Sequence, residues 1–109
     1  MSCESKSGAT LLTSQEMKEL ITLDSEIIDV RTPAEFNEGY IEGARLINIQ
    51  DTSTFMEEIE QLQKDKDYYV YCRSGRRSEM ACQIMEKTGI ENAFNLEGGI
   101  IDWSGKVKK

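Results

Sequence analysis

One stretch of the chain combines a nucleophile with concentrated positive charge. Residues 72–78 read CRSGRRS, so one cysteine is followed within five positions by three arginines and a glycine. The preceding segment, 67–71, is rich in aromatic and β-branched residues and predicts a buried strand. In the following segment, 78–88, apolar residues recur at helical spacing. Cys72 is therefore predicted where a strand ends and a helix begins, which is the usual binding crevice of an open α/β sheet.

The position of Cys72 predicts an activated thiol. A helix N-terminus offers free backbone N–H groups and a partial positive charge, and both lower the pKa of a thiol held there. Arg73, Arg76 and Arg77 add positive charge. Gly75 permits a tight turn in which successive N–H groups point inward. The sequence therefore predicts a reactive thiolate in a cradle for a small anion, which is either a substrate or the outer sulfur of a modified cysteine.

A buried structural cysteine is the alternative interpretation, because free cysteine is among the most buried residue types. The neighbourhood of Cys72 argues against it. Electropositive surroundings are typical of reactive cysteines, whereas structural cysteines are inert and lie among apolar groups.

The composition restricts both the architecture and the chemistry. A chain of 109 residues forms one domain, and it can build a core without disulfides or a metal. A net charge of −7 argues against nucleic acid or an anionic membrane as a partner. The chain contains no histidine, so Ser-His and Cys-His catalysis and histidine metal sites are excluded. We expect no metal and no cofactor.

Cysteine usage gives an expectation for the compartment. Cys3, Cys72 and Cys82 are widely spaced and form no Cys-x-x-Cys pair, which argues against a disulfide framework and a zinc site. Residues 1–9 lack an apolar signal segment. A reducing, cytoplasmic location is expected, with a periplasmic one if a leader has been removed. We expect Cys3 to be exposed and idle, and Cys82 to be packed and inert.

Helices and strands alternate along the chain. Capping boxes of the form Thr-x-x-Glu begin two predicted helices, at Thr13 and Thr32. The predicted helices span 14–22, 33–38 and 78–88. A further helix is predicted after an N-cap at Thr52 or Ser53, and a final short helix is predicted to start at Ile100. The predicted strands span 26–30, 44–49, 68–71 and 93–96. This alternation predicts an α/β fold with a parallel sheet and helices on both faces.

Residues 13–105 are predicted to form the single domain, with flexible tails over 1–12 and 106–109, and we expect a monomer.

Asp29 and Arg31 end a strand, so their charges are expected at the same sheet edge as the cysteine. We expect Asp29 to accept backbone N–H groups or to neutralise an arginine, and Arg31 to pair with Glu35. A salt bridge that pins the loop is favoured over direct catalysis.

Residues 98–99 are two glycines with two interpretations. They either pass close to the cysteine loop or form a plain turn, and both interpretations stay open.

Four segments of the chain resemble the single-domain rhodaneses, or thiosulfate sulfurtransferase-like proteins, in order and spacing. They are 27–36 (IIDVRTPAEF), 39–44 (GYIEGA), 71–78 (YCRSGRRS) and 96–103 (LEGGIIDW). The resemblance implies a rhodanese-like fold with a central parallel sheet of four to five strands and helices on both faces. It also implies that the cysteine takes a sulfane sulfur from thiosulfate or a related donor. The persulfide then passes its outer sulfur to cyanide or a thiol, without a cofactor.

The same resemblance implies roles for individual residues. Cys72 matches the persulfide-forming nucleophile, and 72–77 matches a six-residue loop whose backbone N–H groups surround the persulfide. Arg77 matches the position that closes the loop. The implied substrate-binding residues are Arg73, Ser74, Gly75, Arg76 and Arg77. The implied supporting network is Asp29, Arg31 and Glu35.

Two other functions remain as alternatives. A sulfur-carrier or interaction module would hold a persulfide for a protein partner, with little turnover on free thiosulfate. A small phosphatase or arsenate reductase of this fold would have a loop one residue longer, and other cysteine phosphatases need an arginine where this chain has Ser78. The expected partners are a small anionic sulfur donor and a thiol, cyanide or protein acceptor, with no nucleic acid or membrane.

Overall fold

A five-stranded parallel sheet lies at the centre of the protein, which the computed structural model describes over residues 10–109. The strands are β1 (Thr10–Leu12), β2 (Glu26–Asp29), β3 (Tyr40–Ile41), β4 (Ala44–Leu46), β5 (Asp67–Tyr71), β6 (Asn92–Leu96) and β7 (Val107–Lys108). The helices are α1 (Ser14–Leu20), α2 (Pro33–Glu38), α3 (Thr52–Glu60) and α4 (Arg76–Lys87), followed by a 3₁₀ turn at Gly99–Asp102.

The strand that precedes the cysteine occupies the middle of the sheet. The strand order is β1-β6-β5-β2-β4, and every neighbouring pair is parallel. The ends of β2 and β5 are in register, because Asp29 pairs with Tyr71. Cys72 therefore leaves the sheet beside Asp29, at the carboxyl edge where α/β sheets bind ligands. The predicted α/β fold with a central parallel sheet of four to five strands is confirmed, and the sheet has five.

Side chains of β5 alternate between two hydrophobic cores. Tyr68, Val70 and Cys72 face the core that α3 and α4 cover, and Tyr69 and Tyr71 face the core that α1 covers. Each face of the sheet is therefore buried by helices, as predicted. Residues buried in the first core include Phe55, Ile59, Ala81, Cys82 and Met85, and those in the second include Leu12, Met17, Ile41 and Leu96.

Both predicted tails are wrong in part. Thr10–Leu12 is an edge strand parallel to β6, and Leu12 is buried. Val107–Lys108 pairs antiparallel with Tyr40–Ile41. Segments of two or three residues carry too little periodicity to predict a strand, and they become strands because a partner strand is available. The rest of the predicted N-terminal tail, including the prediction for Cys3, lies outside the described residues.

Helix starts differ from the prediction at two places. The helix after the cysteine begins at Arg76, two residues earlier than expected, and its N-cap is Gly75 in a left-handed conformation. Asp51 caps α3 instead of Thr52 or Ser53. The two predicted capping boxes, at Thr13 and Thr32, are present.

Some other element boundaries also shift. The helices predicted to 22 and 88 end at Leu20 and Lys87, and the strands predicted to 30 and 49 end at Asp29 and Leu46. Boundary differences of one to three residues arise because tertiary contacts, which local sequence does not encode, set where an element ends. None of the helices within residues 10–109 has both the length and the apolar character that crossing a membrane requires.

Candidate active site

The Cys72 sulfur lies at the start of a helix and accepts hydrogen bonds there. The backbone N–H of Gly75 donates to Sγ at 3.1 Å, and the hydroxyl of Ser78 lies 3.4 Å from Sγ. Gly75 has φ 113°, which a residue with a side chain rarely adopts, and this conformation turns its N–H back toward the sulfur. The loop therefore points donors at the sulfur of Cys72.

The environment of Cys72 has opposing effects on its pKa. Burial of the thiol raises the pKa, because an apolar surrounding disfavours the thiolate. Hydrogen bonds from the Ser78 hydroxyl and from the backbone N–H groups of Ser78, Gly75 and Ser74 lower the pKa and outweigh burial. The net result is a pKa below the ordinary value of a thiol, which supports a thiolate as the reactive form.

The three loop arginines are not equivalent. Arg77 is held by Glu35, with Nη1 2.8 Å from Oε1 and Nη2 3.0 Å from Oε2. Arg73 and Arg76 are exposed, and neither forms an ion pair within residues 10–109. Arg73 and Arg76 are thus the loop arginines that remain available to an anion, while Arg77 fixes the loop to α2.

Asp29 and Arg31 form a buried ion pair beside the loop. The Arg31 guanidinium donates to Asp29 through Nε at 2.9 Å and through Nη2 at 2.7 Å, and Nη2 also donates to the carbonyl of Gly39 at 2.6 Å. The expected pair between Arg31 and Glu35 is therefore wrong, because Asp29 lies on the same turn and is completely buried. The prediction that Asp29 neutralises an arginine is confirmed.

Tyr71 joins this ion pair to the strand that carries the nucleophile. Its hydroxyl donates to Asp29 Oδ2 at 2.7 Å and accepts the backbone N–H of Ile41 at 3.0 Å. Burial and the neighbouring Asp29 carboxylate raise the pKa of Tyr71, so the phenol stays protonated. Asp29, Arg31 and Tyr71 are all buried and are bonded to one another or to the backbone, which supports a structural role.

Glycines 98 and 99 approach the cysteine loop. Gly99 has φ 65°, and a Cβ atom there would overlap the carbonyl of Arg73 and the nitrogen of Ser74. The next N–H groups hold the loop, because Ile100 N donates to Cys72 O at 3.0 Å and Ile101 N donates to Arg73 O at 3.3 Å. Of the two interpretations left open, close approach is the one the structure shows.

Sequence reasoning missed two buried polar residues at the loop, Ser78 and Asn95. Ser78 is 0% exposed and Asn95 is 2% exposed. The Ser78 hydroxyl donates to Asn95 Oδ1 at 2.5 Å, and Asn95 Nδ2 donates to Gly75 O at 3.1 Å. A signal was available, because each polar residue stands at an inward position among apolar ones, Ser78 before Ala81 and Asn95 after Ala93.

Cys82 is fully buried in the core between α4 and the sheet. Burial raises the pKa of its thiol, so it stays protonated and unreactive. The prediction that Cys82 is packed is confirmed, and its inertness stays a prediction.

The chain is similar to known proteins in both sequence and structure. The chain is 41% identical over 83 residues to a sulfurtransferase of Allochromatium vinosum, covering 76% of this chain and 75% of that protein. It is 40% identical over 84 residues to the protein YqhL of Bacillus subtilis, covering 77% of this chain but only 64% of the length of YqhL. The crystal structure of a rhodanese-related protein of Thermoplasma volcanium superposes with a TM-score of 0.79 at 30% identity, covering 91% of this chain and 97% of that one.

The family model described as the rhodanese-like domain matches residues 13–106, which include the whole cysteine loop and its supporting network. The predicted resemblance is confirmed, and the chain belongs to the rhodanese-like domain family.

Proposed function

We propose that this protein is a sulfurtransferase that carries a sulfane sulfur on Cys72, from thiosulfate or a related anionic donor to cyanide or a thiol. One observation carries the proposal. The Cys72 sulfur accepts the Gly75 N–H at 3.1 Å inside a six-residue loop at the start of α4, with Arg73 and Arg76 exposed beside it. A thiolate, inward N–H groups and available positive charge are what an anionic sulfur donor requires.

The first half-reaction loads the enzyme. The Cys72 thiolate attacks the outer sulfur of thiosulfate, a new S–S bond forms, and the S–S bond to the sulfite group breaks. Sulfite leaves with that electron pair, and the negative charge now lies on the outer sulfur of the persulfide. No proton moves in this step, so the reaction needs no histidine.

The second half-reaction transfers the outer sulfur from the Cys72 persulfide to the acceptor and so unloads the enzyme. Cyanide or a thiolate attacks the outer sulfur, and the electron pair of the persulfide bond returns to Cys72 as a thiolate. Thiocyanate or a new persulfide leaves. The acceptor is therefore any thiophilic nucleophile that reaches the loop, and a cysteine of a partner protein satisfies the same chemistry.

The loop length favours sulfur over tetrahedral oxyanions. Gly75 N–H points at Sγ itself, and Gly99 backs the loop so closely that the carbonyl of Arg73 leaves no room for a side chain. The outer atom of a persulfide is a single anionic sulfur, which such a small ring of donors accommodates.

As part of the proposal, the protein works as a monomer in a reducing compartment such as the cytoplasm, without nucleic acid or membrane partners.

Intact mass spectrometry tests the proposal. After incubation with thiosulfate the protein should gain the mass of one sulfur atom, and cyanide should remove it with formation of thiocyanate. Cys72→Ser should gain nothing, whereas the matched variant Cys82→Ser should load like the wild type. Loading from a low-molecular-weight persulfide but not from thiosulfate would favour the sulfur-carrier alternative. No loading from either donor would overturn the proposal.

A further inference from the structure

The hydroxyl of Ser78 faces three acceptors but has one proton to donate. Its Oγ lies 2.5 Å from Asn95 Oδ1, 3.1 Å from the carbonyl oxygen of Gly75 and 3.4 Å from Cys72 Sγ. All three lie within hydrogen-bonding range. Because Ser78 is completely buried, no water competes at its surface, and the choice of acceptor depends on the charge of these neighbours.

The orientation of the Asn95 amide is fixed. Its Nδ2 donates to the Gly75 carbonyl at 3.1 Å, so Oδ1 faces Ser78. The opposite orientation would place Oδ1 against the Gly75 carbonyl oxygen, with two acceptors facing each other. Asn95 therefore always offers Ser78 an acceptor, and it stands in competition with the cysteine sulfur.

The protonation state of Cys72 decides this competition. When Cys72 is a thiol, its S–H donates to Ser78 Oγ, and the Ser78 proton points to Asn95. When Cys72 is a thiolate, the charged sulfur is the stronger acceptor, and the Ser78 proton turns to Sγ. A rotation about one C–O bond connects the two arrangements, because all the heavy atoms are already in place.

We propose that Ser78 is a catalytic residue whose hydroxyl donates to the Cys72 sulfur whenever that sulfur carries the negative charge, and donates to Asn95 when it does not. In the persulfide the charge lies on the outer sulfur, so the Ser78 proton returns to Asn95. This reaction-dependent part of the inference rests on the proposed sulfurtransferase function. The hydrogen bond from Ser78 to the Cys72 thiolate of the free enzyme does not rest on that function.

The two half-reactions should respond differently to this hydrogen bond. During unloading the Cys72 sulfur gains negative charge as it leaves the outer sulfur, so the Ser78 donor stabilises the transition state. During loading the thiolate loses charge, so the same donor stabilises the starting state more than the transition state. Loss of the Ser78 hydroxyl should therefore slow unloading but should not slow the attack of an already formed thiolate.

The other titratable and charged groups near Cys72 must be separated from this effect. The charge of Arg77 of α4 interacts with that of Cys72, but its guanidinium is held and neutralised by Glu35 of α2. Cys82, further along α4, stays protonated because burial raises its pKa. Asp29 of β2 is paired with Arg31. None of these groups is altered by substitution of the serine hydroxyl.

The first experiment measures the ionisation of Cys72 from the pH dependence of iodoacetamide alkylation, followed on the Cys72 peptide by mass spectrometry. In Ser78→Ala the midpoint should move upward by about one pH unit, a tenfold change in the ionisation constant, as expected when a charged group loses one hydrogen bond. Ser78→Thr, which keeps the hydroxyl, should restore most of the shift. The matched control is Thr88→Val, which removes the hydroxyl bonded to Met85 O at the other end of α4 and should change nothing.

A second variant should move the alkylation midpoint in the opposite direction. Asn95→Leu keeps the side-chain shape but removes the nearest competing acceptor, at 2.5 Å. Only the neutral Gly75 carbonyl at 3.1 Å then competes with the charged sulfur for the Ser78 proton, so the alkylation midpoint should move downward. This variant carries the test if Ser78→Ala does not fold, and far-UV circular dichroism identifies which variants are folded. An unchanged midpoint in a folded Ser78→Ala, or an upward shift in Asn95→Leu, would overturn the inference.

The last experiment tests the reaction-dependent part. At a pH above both midpoints, Ser78→Ala should unload its persulfide to cyanide about tenfold more slowly than the wild type, while its loading by thiosulfate should not slow. Equal slowing of both half-reactions would indicate a structural role and overturn this part. If no variant loads sulfur, wild type included, the proposed function fails, but the alkylation result still decides the Ser78 donation.

Discussion

Glu35 and Arg77 form a two-point ion pair that joins α2 to the loop of the nucleophile, although they lie 42 residues apart. The same carboxylate completes the capping box of α2, because Glu35 Oε1 accepts the backbone N–H of Thr32 at 3.0 Å. One side chain therefore both begins a helix and anchors the arginine that closes the loop. Arg77 is consequently oriented toward α2, and the recognition of an anion falls to the other two loop arginines.

The Glu35–Arg77 ion pair should make the free energy of unfolding depend on pH in the acid range. The hydrogen bond from Arg77 lowers the pKa of Glu35 to about 2 from its ordinary value of 4.5. The stabilisation is complete above pH 4.5 and is lost as the pH falls toward 2. Between these values the unfolded chain binds a proton at Glu35 that the folded protein does not, so acid favours unfolding. Above pH 5, Glu35→Gln should lower the free energy of unfolding by about 1 kcal/mol. Urea unfolding at several pH values measures the difference, which should vanish at the acid end.

The control for that series is Glu57→Gln, which alters an exposed glutamate of α3 that forms no ion pair within residues 10–109. Its free energy of unfolding should follow the wild type at every pH. A gap between wild type and Glu35→Gln that stays constant down to pH 2 would contradict the role given to Arg77.

Recognition of thiosulfate should depend on the exposed arginines. Arg73→Ala and Arg76→Ala should each raise KM for thiosulfate about two- to fivefold, as expected for one exposed charge near an anion. At a pH where Cys72 is fully ionised, its alkylation by uncharged iodoacetamide should not slow, since that reagent offers no charge to these side chains. Steady-state kinetics with thiosulfate and alkylation rates measure this, and equal losses in both would show that the arginines position the loop instead.

Asp29→Asn should be strongly destabilising. It would leave the Arg31 guanidinium, which is 5% exposed, without a neutralising partner in the interior. Breaking a buried ion pair in this way costs about 3–5 kcal/mol. The double variant Asp29→Asn, Arg31→Met removes the orphaned charge and should recover part of the loss. Thermal and urea unfolding compare the three proteins, and a single variant as stable as the wild type would contradict the buried pair.

Gly99→Ala tests the close approach of the two loops. The residue has φ 65°, and the added methyl group would meet the Arg73 carbonyl and push the cysteine loop away. Gly43→Ala is the matched control, because Gly43 has φ 90° but no atom within 4 Å of the added group. Both variants should lose about 1 kcal/mol from backbone strain. Only Gly99→Ala should lose more than that and also load sulfur slowly.

Elements with strong local patterns could be predicted from sequence. The capping boxes at Thr13 and Thr32 place two helices, because the side chains that satisfy the first N–H groups lie three residues apart in the chain. The start of α4 was missed, since Gly75 caps it without a side-chain hydrogen bond and leaves no pattern to detect. The short strands β1, β3 and β7 were missed because pairing with a distant strand defines them.

The residues of the candidate site also divide into those that could be predicted from sequence and those that could not. The contiguous loop 72–77 could be predicted because its residue types and their order carry the chemistry. The ion-pair partner of each arginine could not be predicted. Two carboxylates, Asp29 and Glu35, lie near Arg31 in sequence, but in the fold Arg31 pairs with Asp29, and Glu35 pairs with Arg77. Ser78 and Asn95 become part of the site only because β6 lies beside β5 in the sheet.

The sheet order also sets when the thiol becomes active in a newly made chain. The strand β5 leaves the ribosome before β6, its neighbour, and β1 must wait for β6, because residue 10 pairs with residue 94. The backbone donors of Ile100 and Ile101 that hold the cysteine loop emerge later still. Contacts this distant along the chain form late in folding. A nascent chain therefore exposes Cys72 in an unanchored loop, and the activated nucleophile is assembled only when nearly the whole domain has been synthesised.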